Sequence, residues 1–141
     1  MTISENKKIL LITEDDASLR NVLKDDLEGD GFIVLEAENG VTGLKIALKE
    51  HPDLILLDIL MPQMGGVEML RGLRDANTWG KQVPVILLTN VSPDTEEMNK
   101  VITEHEPAYY LKKSEFALSD VVAKIKERLA SPSSLLSRSD K

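Results

Sequence analysis

The sequence predicts an α/β protein, a doubly wound five-stranded parallel sheet with five helices, on three observations. Five strand-length aliphatic runs recur along the chain, at Ile9 to Thr13, Phe32 to Ala37, Leu54 to Asp58, Val83 to Thr89 and Ala108 to Lys112. The first, third and fourth are nearly continuous in apolar residues, the pattern of strands covered on both faces. Segments with helical spacing follow each run, and such β-α alternation demands right-handed crossovers with helices on both sides of the sheet.

Taken in order, the first strand leads into a helix marked by Leu19, Val22, Leu23 and Leu27, with Asp16 placed to cap it. The second strand precedes a helix through Val41, Leu44 and Leu48. After the third strand, Gly65-Gly66 opens a helix through Val67, Leu70 and Leu73, and Asn77 to Lys81 reads as a loop whose Trp79 covers a helix end or meets a partner. The fourth strand is followed by a helix expected from Pro93 to His105, with Ser92 as cap, Pro93 in the first turn, and Asp94 and Glu96 facing the helix dipole. The last helix is expected from Phe116 to Leu129, where Leu118, Val121, Val122, Ile125 and Leu129 form one apolar stripe. The serine-rich stretch 131–141 loses all periodicity. This leaves 1–7 as an N-terminal extension, 8–130 as one domain and 131–141 as a flexible tail.

Composition limits what such a domain does. At 141 residues there is room for one ordinary domain, and 42% hydrophobic residues suffice for a core, filled by aliphatics because aromatics are only 4%. A net charge of −7 opposes direct nucleic-acid binding and attachment to acidic membranes, and favours a cation as partner. No cysteine is present, which removes disulfides, thiolate metal sites and cysteine nucleophiles. MTISENKK lacks an apolar signal core and no run approaches a membrane span, so the expected location is the cytoplasm.

Ligands of open parallel sheets bind beyond the carboxyl ends of the strands. Here those ends are polar: Thr13, Glu14, Asp15 and Asp16 after the first strand, Asp58 at the third, Thr89-Asn90 at the fourth, Lys112-Lys113 at the fifth. Asp58 follows Leu54-Ile55-Leu56-Leu57 and precedes Ile59-Leu60-Met61-Pro62, so it caps no helix. Two carboxylates about 4 Å apart repel by about 4 kcal/mol at an effective dielectric near 20, and a divalent cation removes that penalty. All-oxygen ligation suits Mg²⁺, which keeps waters and leaves room for a phosphoryl oxygen. With Thr89 as hydroxyl donor and Lys113 as cation, the set suits phosphoryl transfer, and Asp58 becomes the candidate nucleophile of an acyl phosphate.

These residues resemble the receiver domain of two-component response regulators, over roughly Lys8 to Ala130. Asp58-Ile-Leu-Met61-Pro62-Gln-Met64-Gly-Gly66-Val-Glu68 looks like the family's phosphoacceptor strand end and loop. Glu14-Asp15 is similar to its acidic metal-binding pair, Thr89 to its switch hydroxyl, Lys113 to its lysine, and Tyr110 to its switch aromatic. The resemblance implies a flavodoxin-like fold and phosphorylation of Asp58 by a histidine kinase or phosphotransfer protein. It also implies Mg²⁺ held by Glu14, Asp15, Asp58 and the Leu60 carbonyl, in a signalling domain rather than an enzyme. The expected output is a change of the face from Pro93 to Leu129, through Thr89 and Tyr110, read by a downstream protein or a second copy of the chain.

Two positions depart from the family. Asn90 stands where a small residue is usual and is expected to slow attack by water. Ser114 replaces the usual cis proline, so a trans bond with local rearrangement is expected, a non-proline cis bond costing roughly 2.5 to 4 kcal/mol. Three rival readings are weaker. Aspartyl-phosphate hydrolases place the nucleophile on the first strand and need a cap domain, and a flavin site needs glycine and hydroxyls where Glu14 to Asp16 stand. A receiver that only docks partners would not need the complete Glu14, Asp15, Asp58, Thr89 and Lys113 set. His51 and His105 are expected at exposed or capping positions.

Overall fold

The computed structural model describes residues 7–130; the expected tail and most of the N-terminal extension lie outside them. Five parallel strands form one sheet in the order β2-β1-β3-β4-β5, with β1 Ile9–Thr13, β2 Ile33–Ala37, β3 Leu54–Leu57, β4 Val85–Thr89 and β5 Tyr109–Lys112. Among the described residues there are six α-helices, not the five expected: α1 Ala17–Gly29, α2 Gly40–Glu50, α3 Gly66–Ala76, α4 Thr78–Gln82, α5 Glu96–His105 and α6 Leu118–Ala130. A 3₁₀ turn, Lys113–Glu115, joins β5 to α6.

The added helix is α4. Asn77 caps it by accepting from the Gly80 N–H at 2.7 Å, and the Val83 N–H closes it on the Trp79 carbonyl at 2.9 Å. Five residues are too few to show a helical period, so this stretch reads as a loop in the sequence. It also shortens β4, since Val83 ends the helix and Pro84 has no N–H to give a ladder, leaving the strand to begin at Val85.

α5 starts three residues later than its sequence signals suggest. Ser92 Oγ accepts from the Asp94 N–H at 3.2 Å within a turn, and Thr95, not Ser92, caps the helix by accepting from Met98 at 3.1 Å. α6 likewise begins at Leu118, because Phe116 is extended and Asp120 Oδ2 reaches back to the Ala117 N–H at 3.1 Å.

Every residue of β3 and β4 is buried, as their unbroken apolar runs require. One sheet face packs Leu11, Ile55, Leu57, Val85 and Leu87 against Ala47, Met69, Leu70, Leu73, Met98 and Val101 of α2, α3 and α5. The other packs Leu10, Ile12, Leu56, Ile86 and Leu111 against Leu23 and Leu27 of α1 and Val121, Val122 and Ile125 of α6. Each Val, Leu, Ile or Met side chain here contributes roughly 1.5–3 kcal/mol by leaving water, and the packed sheet fixes the register that matters for the site. Thr13 lies opposite Leu57, Leu57 opposite Leu87, and Thr89 opposite Lys112, so the residues after each strand emerge along one edge. Among the described residues no helix is long and apolar enough to cross a membrane.

Candidate functional site

Glu14 and Asp58 extend the sheet by one residue beyond β1 and β3. The Glu14 N–H donates to the Ala37 carbonyl at 3.0 Å and the Asp58 N–H to the Thr13 carbonyl at 3.0 Å, so the ladder holds both backbones although neither belongs to a strand. Their side chains are only 4% and 6% exposed. Lys113 directly follows β5 on the 3₁₀ turn, and that turn swings its ammonium over the edge. Its Nζ sits 2.9 Å from Glu14 Oε1 and 3.1 Å from Asp58 Oδ2. The backbone is trans throughout the described residues, Ser114 included.

Burial pushes the Glu14 carboxyl above its ordinary value, opposed by its hydrogen bonds to Lys113 and the Asp16 N–H and reinforced by the Asp58 charge. Burial works against the Lys113 ammonium, but its bonds to Glu14 and Asp58 outweigh that, and the amine is raised. Glu14, Asp15 and Asp58 each bring one carboxylate oxygen into a group within 4.8 Å, Asp15 from an exposed position. Three hard oxygens around one point, with two buried carboxylates sharing a single ammonium, fit a small divalent cation such as Mg²⁺.

The neighbours separate by role. Asp16 caps α1, accepting from Ser18 and Leu19 at 3.0 and 3.2 Å, while its own N–H holds Glu14 Oε2 at 3.0 Å. The Leu60 N–H approaches Asp58 Oδ1 at 3.4 Å, and Leu60 is 63% exposed. Thr89 is fully buried at the end of β4, its Oγ1 accepting from the Val91 N–H at 3.3 Å. Tyr110 packs half-buried against the core and donates to the Val91 carbonyl at 2.8 Å. The structure therefore gathers Glu14, Asp15, Asp58, Leu60 and Lys113 in one place, and joins Thr89 to Tyr110 through Val91.

His51 is the C-cap of α2 in a left-handed conformation, and its ring stacks on Trp79 at 4.2 Å, so both take their expected capping and covering places. His105, expected exposed or capping, instead ends α5 with its ring largely buried, and Glu106 makes the C-cap. Sequence reading missed Arg74, whose guanidinium donates to the carbonyls of Gly80, Val83, His105 and Glu106 and ties α4 to the end of α5. Burial lowers its pKa, the Glu106 charge opposing. A lone arginine on a helix gives no sequence signal of four carbonyl partners.

The profile of the response regulator receiver domain matches residues 10–126. The chain belongs to this family. Among curated relatives, this receiver is 37% identical over 120 residues to the KDP operon transcriptional regulatory protein KdpE of Escherichia coli (strain K12), covering 85% of the chain and 50% of that protein. It is 34% identical over 134 residues to the alkaline phosphatase synthesis transcriptional regulatory protein PhoP of Bacillus subtilis (strain 168), covering 92% and 53%. The chain spans about half the length of these relatives. Among solved structures, a CheY-like receiver domain protein from Methanospirillum hungatei JF-1 superposes with a TM-score of 0.79 at 27% identity, covering 89% of this chain and 95% of that one. The receiver is thus a flavodoxin-like, CheY-like signalling domain, homologous to phosphoacceptor response regulators, whose family partners are histidine kinases and whose usual ion is Mg²⁺.

Proposed function

We propose that Asp58 of this receiver accepts a phosphoryl group from a histidine kinase or histidine phosphotransfer protein, and that the domain occupies residues 8–130 in the cytoplasm. The observation that carries this reading is the single Lys113 ammonium shared by Glu14 and Asp58 beside Asp15. In the transfer, an Asp58 carboxylate oxygen bonds to phosphorus while the bond from phosphorus to the donor imidazole nitrogen breaks, its electron pair staying with the imidazole. Lys113 holds Asp58 in place beforehand and meets the negative charge of the phosphoryl oxygens afterwards; Thr89 turns its hydroxyl toward one of them. Glu14, Asp15, Asp58 and the Leu60 carbonyl would hold Mg²⁺, which supplies positive charge for the phosphoryl oxygens.

Output follows from the same atoms. A phosphoryl group adds about −1.5 to −2 charge, and movement of Thr89 releases Val91 and with it the Tyr110 hydroxyl. The face made by α5, β5 and α6 then changes for a downstream protein or a second copy of the chain. The acidic domain itself makes no direct contact with nucleic acid or membrane.

Mass spectrometry after exposure to acetyl phosphate and Mg²⁺ tests the assignment. One base-labile phosphate is expected on the wild-type chain and none on Asp58→Asn. A folded Asp58→Asn protein that still takes up one phosphate would overturn it.

A further inference from the structure

The loop from Asp58 to Gly66 is closed at its base and touched at its tip, and the second contact comes from a distant helix. At the base, the Gly66 N–H donates to the Ile59 carbonyl at 2.9 Å, and the Gly66 α-carbon packs so tightly on Asp58 that any side chain there would strike the Asp58 carbonyl. At the tip, the Met64 carbonyl accepts at 2.9 Å from the N–H of Gly40, the first residue of α2. Gly40 is buried, and a Cβ on it would meet the Met64 carbonyl oxygen head-on, with Met64 Cγ at 2.8 Å and the Met64 carbonyl carbon at 2.9 Å. Two of these three obstacles are backbone atoms, so no rotamer change relieves them.

The start of α2 is itself fixed. Asn39 caps it by accepting from the Thr42 N–H at 2.9 Å, and the Gly43 N–H donates to the Asn39 carbonyl at 3.0 Å. Gly40 therefore presses a rigid helix end against a loop that has little freedom left, because its base is hydrogen-bonded and Gln63, one residue before Met64, already has a positive φ of 68°. Between the two contacts lies Leu60, whose N–H faces Asp58 Oδ1.

We propose that Gly40 is a positioning residue for the phosphoacceptor loop: by hydrogen-bonding the Met64 carbonyl at van der Waals contact, it sets where Leu60 stands relative to the Asp58 carboxylate. The inference rests on the Asp58 reading above and adds a residue on another helix to it. Gly40 touches no reacting atom, and it acts through Met64.

The test measures Mg²⁺ affinity by calorimetry, and acetyl phosphate labelling, on the full chain and on Gly40→Ala, with Val41→Ala as a control one residue along the same helix. Outer residues that orient a metal site commonly change its affinity by about 10-fold or more. Gly40→Ala is expected to weaken Mg²⁺ by about that factor and to slow labelling, while Val41→Ala matches wild type. A folded Gly40→Ala chain that binds Mg²⁺ and labels like wild type, in a protein whose Asp58→Asn variant does not label, overturns the proposal and leaves the Asp58 reading standing. A wild-type chain that binds no Mg²⁺ overturns both. Amide exchange on the wild-type protein covers the case in which Gly40→Ala does not fold. The Gly40 N–H is expected to gain protection with Mg²⁺ in step with the Leu60 N–H, and a response at Leu60 with none at Gly40 overturns the proposal.

Discussion

Around β1 and β3 the site is held from several sides. Glu14 is fixed by the ladder, by the Asp16 N–H and by Lys113, Asp58 by the ladder, Lys113 and its closed loop, and all four residues of β3 are buried. Along β5 and just past the buried end of β4 the fastening is lighter. Asn90 is exposed, Thr89 and Tyr110 each hold Val91 by one bond, and β5 has one fully buried residue in four. Groups that must meet a phosphoryl donor in one geometry sit on the well-packed half, and the groups that must move sit where opening costs less.

The sharpest way to break this comparison is to remove Lys113. Lys113→Ala strands two buried carboxylates, and with the lysine 22% exposed the loss is about 2 kcal/mol in metal-free protein, less than a fully buried pair would give. Urea unfolding is expected to show this deficit and to show it shrinking on adding millimolar Mg²⁺, which binds only the folded site. Acetyl phosphate labelling should fall at least 100-fold, an electrostatic contribution of the usual size. No stabilisation of either protein by Mg²⁺ would mean that the carboxylates are not a metal site.

On the lighter half, Tyr110→Phe removes the bond to the Val91 carbonyl and is expected to cost about 1 kcal/mol. Burial first, and the Asp58 charge next, raise the Tyr110 phenol above its ordinary 10.0. A raised phenol keeps its proton and its bond at neutral pH, so the stabilisation is complete below 10 and disappears as pH climbs through the raised value. Ultraviolet titration of wild type against Tyr110→Phe reads this directly. Tyr110→Ala should leave Asp58 labelling intact, while the amide-exchange changes that beryllofluoride causes between Val91 and Ala130 in wild type vanish. Changes confined to the Asp58 loop in wild type would remove the switch altogether.

The smallest effect belongs to Asn90. Asn90 is exposed and directly follows Thr89; if a residue larger than usual there slows attack by water, as expected from the sequence, Asn90→Ala shortens the phosphoryl lifetime a few-fold, as followed by loss of label after removing the donor. A longer lifetime would show that Asn90 admits water.

What the chain discloses before folding follows the same division. β1 was legible to the residue, and Asp58 stood out because an acidic residue closing four aliphatics has no helix to cap. Asp16 was readable as a cap because capping is local chemistry. The late start of α5 was not, since Ser92 and Pro93 carry start signals of their own, whereas Ser92 closes a turn on the Asp94 N–H and Thr95 makes the cap. The bond from Gly40 to Met64 spans 24 positions and runs through backbone atoms, which leave no mark on composition. Lys113 was found by its place at the end of the fifth strand, while its double engagement required the 3₁₀ turn.

The stacked pair of His51 and Trp79 has a practical bearing on all of these measurements. Both residues precede strands, His51 before β3 and Trp79 before β4, so they lie at the end of the sheet opposite the phosphoacceptor. Trp79 is the only tryptophan in the chain. Its fluorescence reports whether the imidazole lies flat against the indole at 4.2 Å, which is lost on unfolding and is remote from any charge added at Asp58. The protein thus carries an optical gauge of its own integrity at the far end of the sheet from Asp58. A variant with altered labelling and unchanged emission has kept the packing of His51 on Trp79.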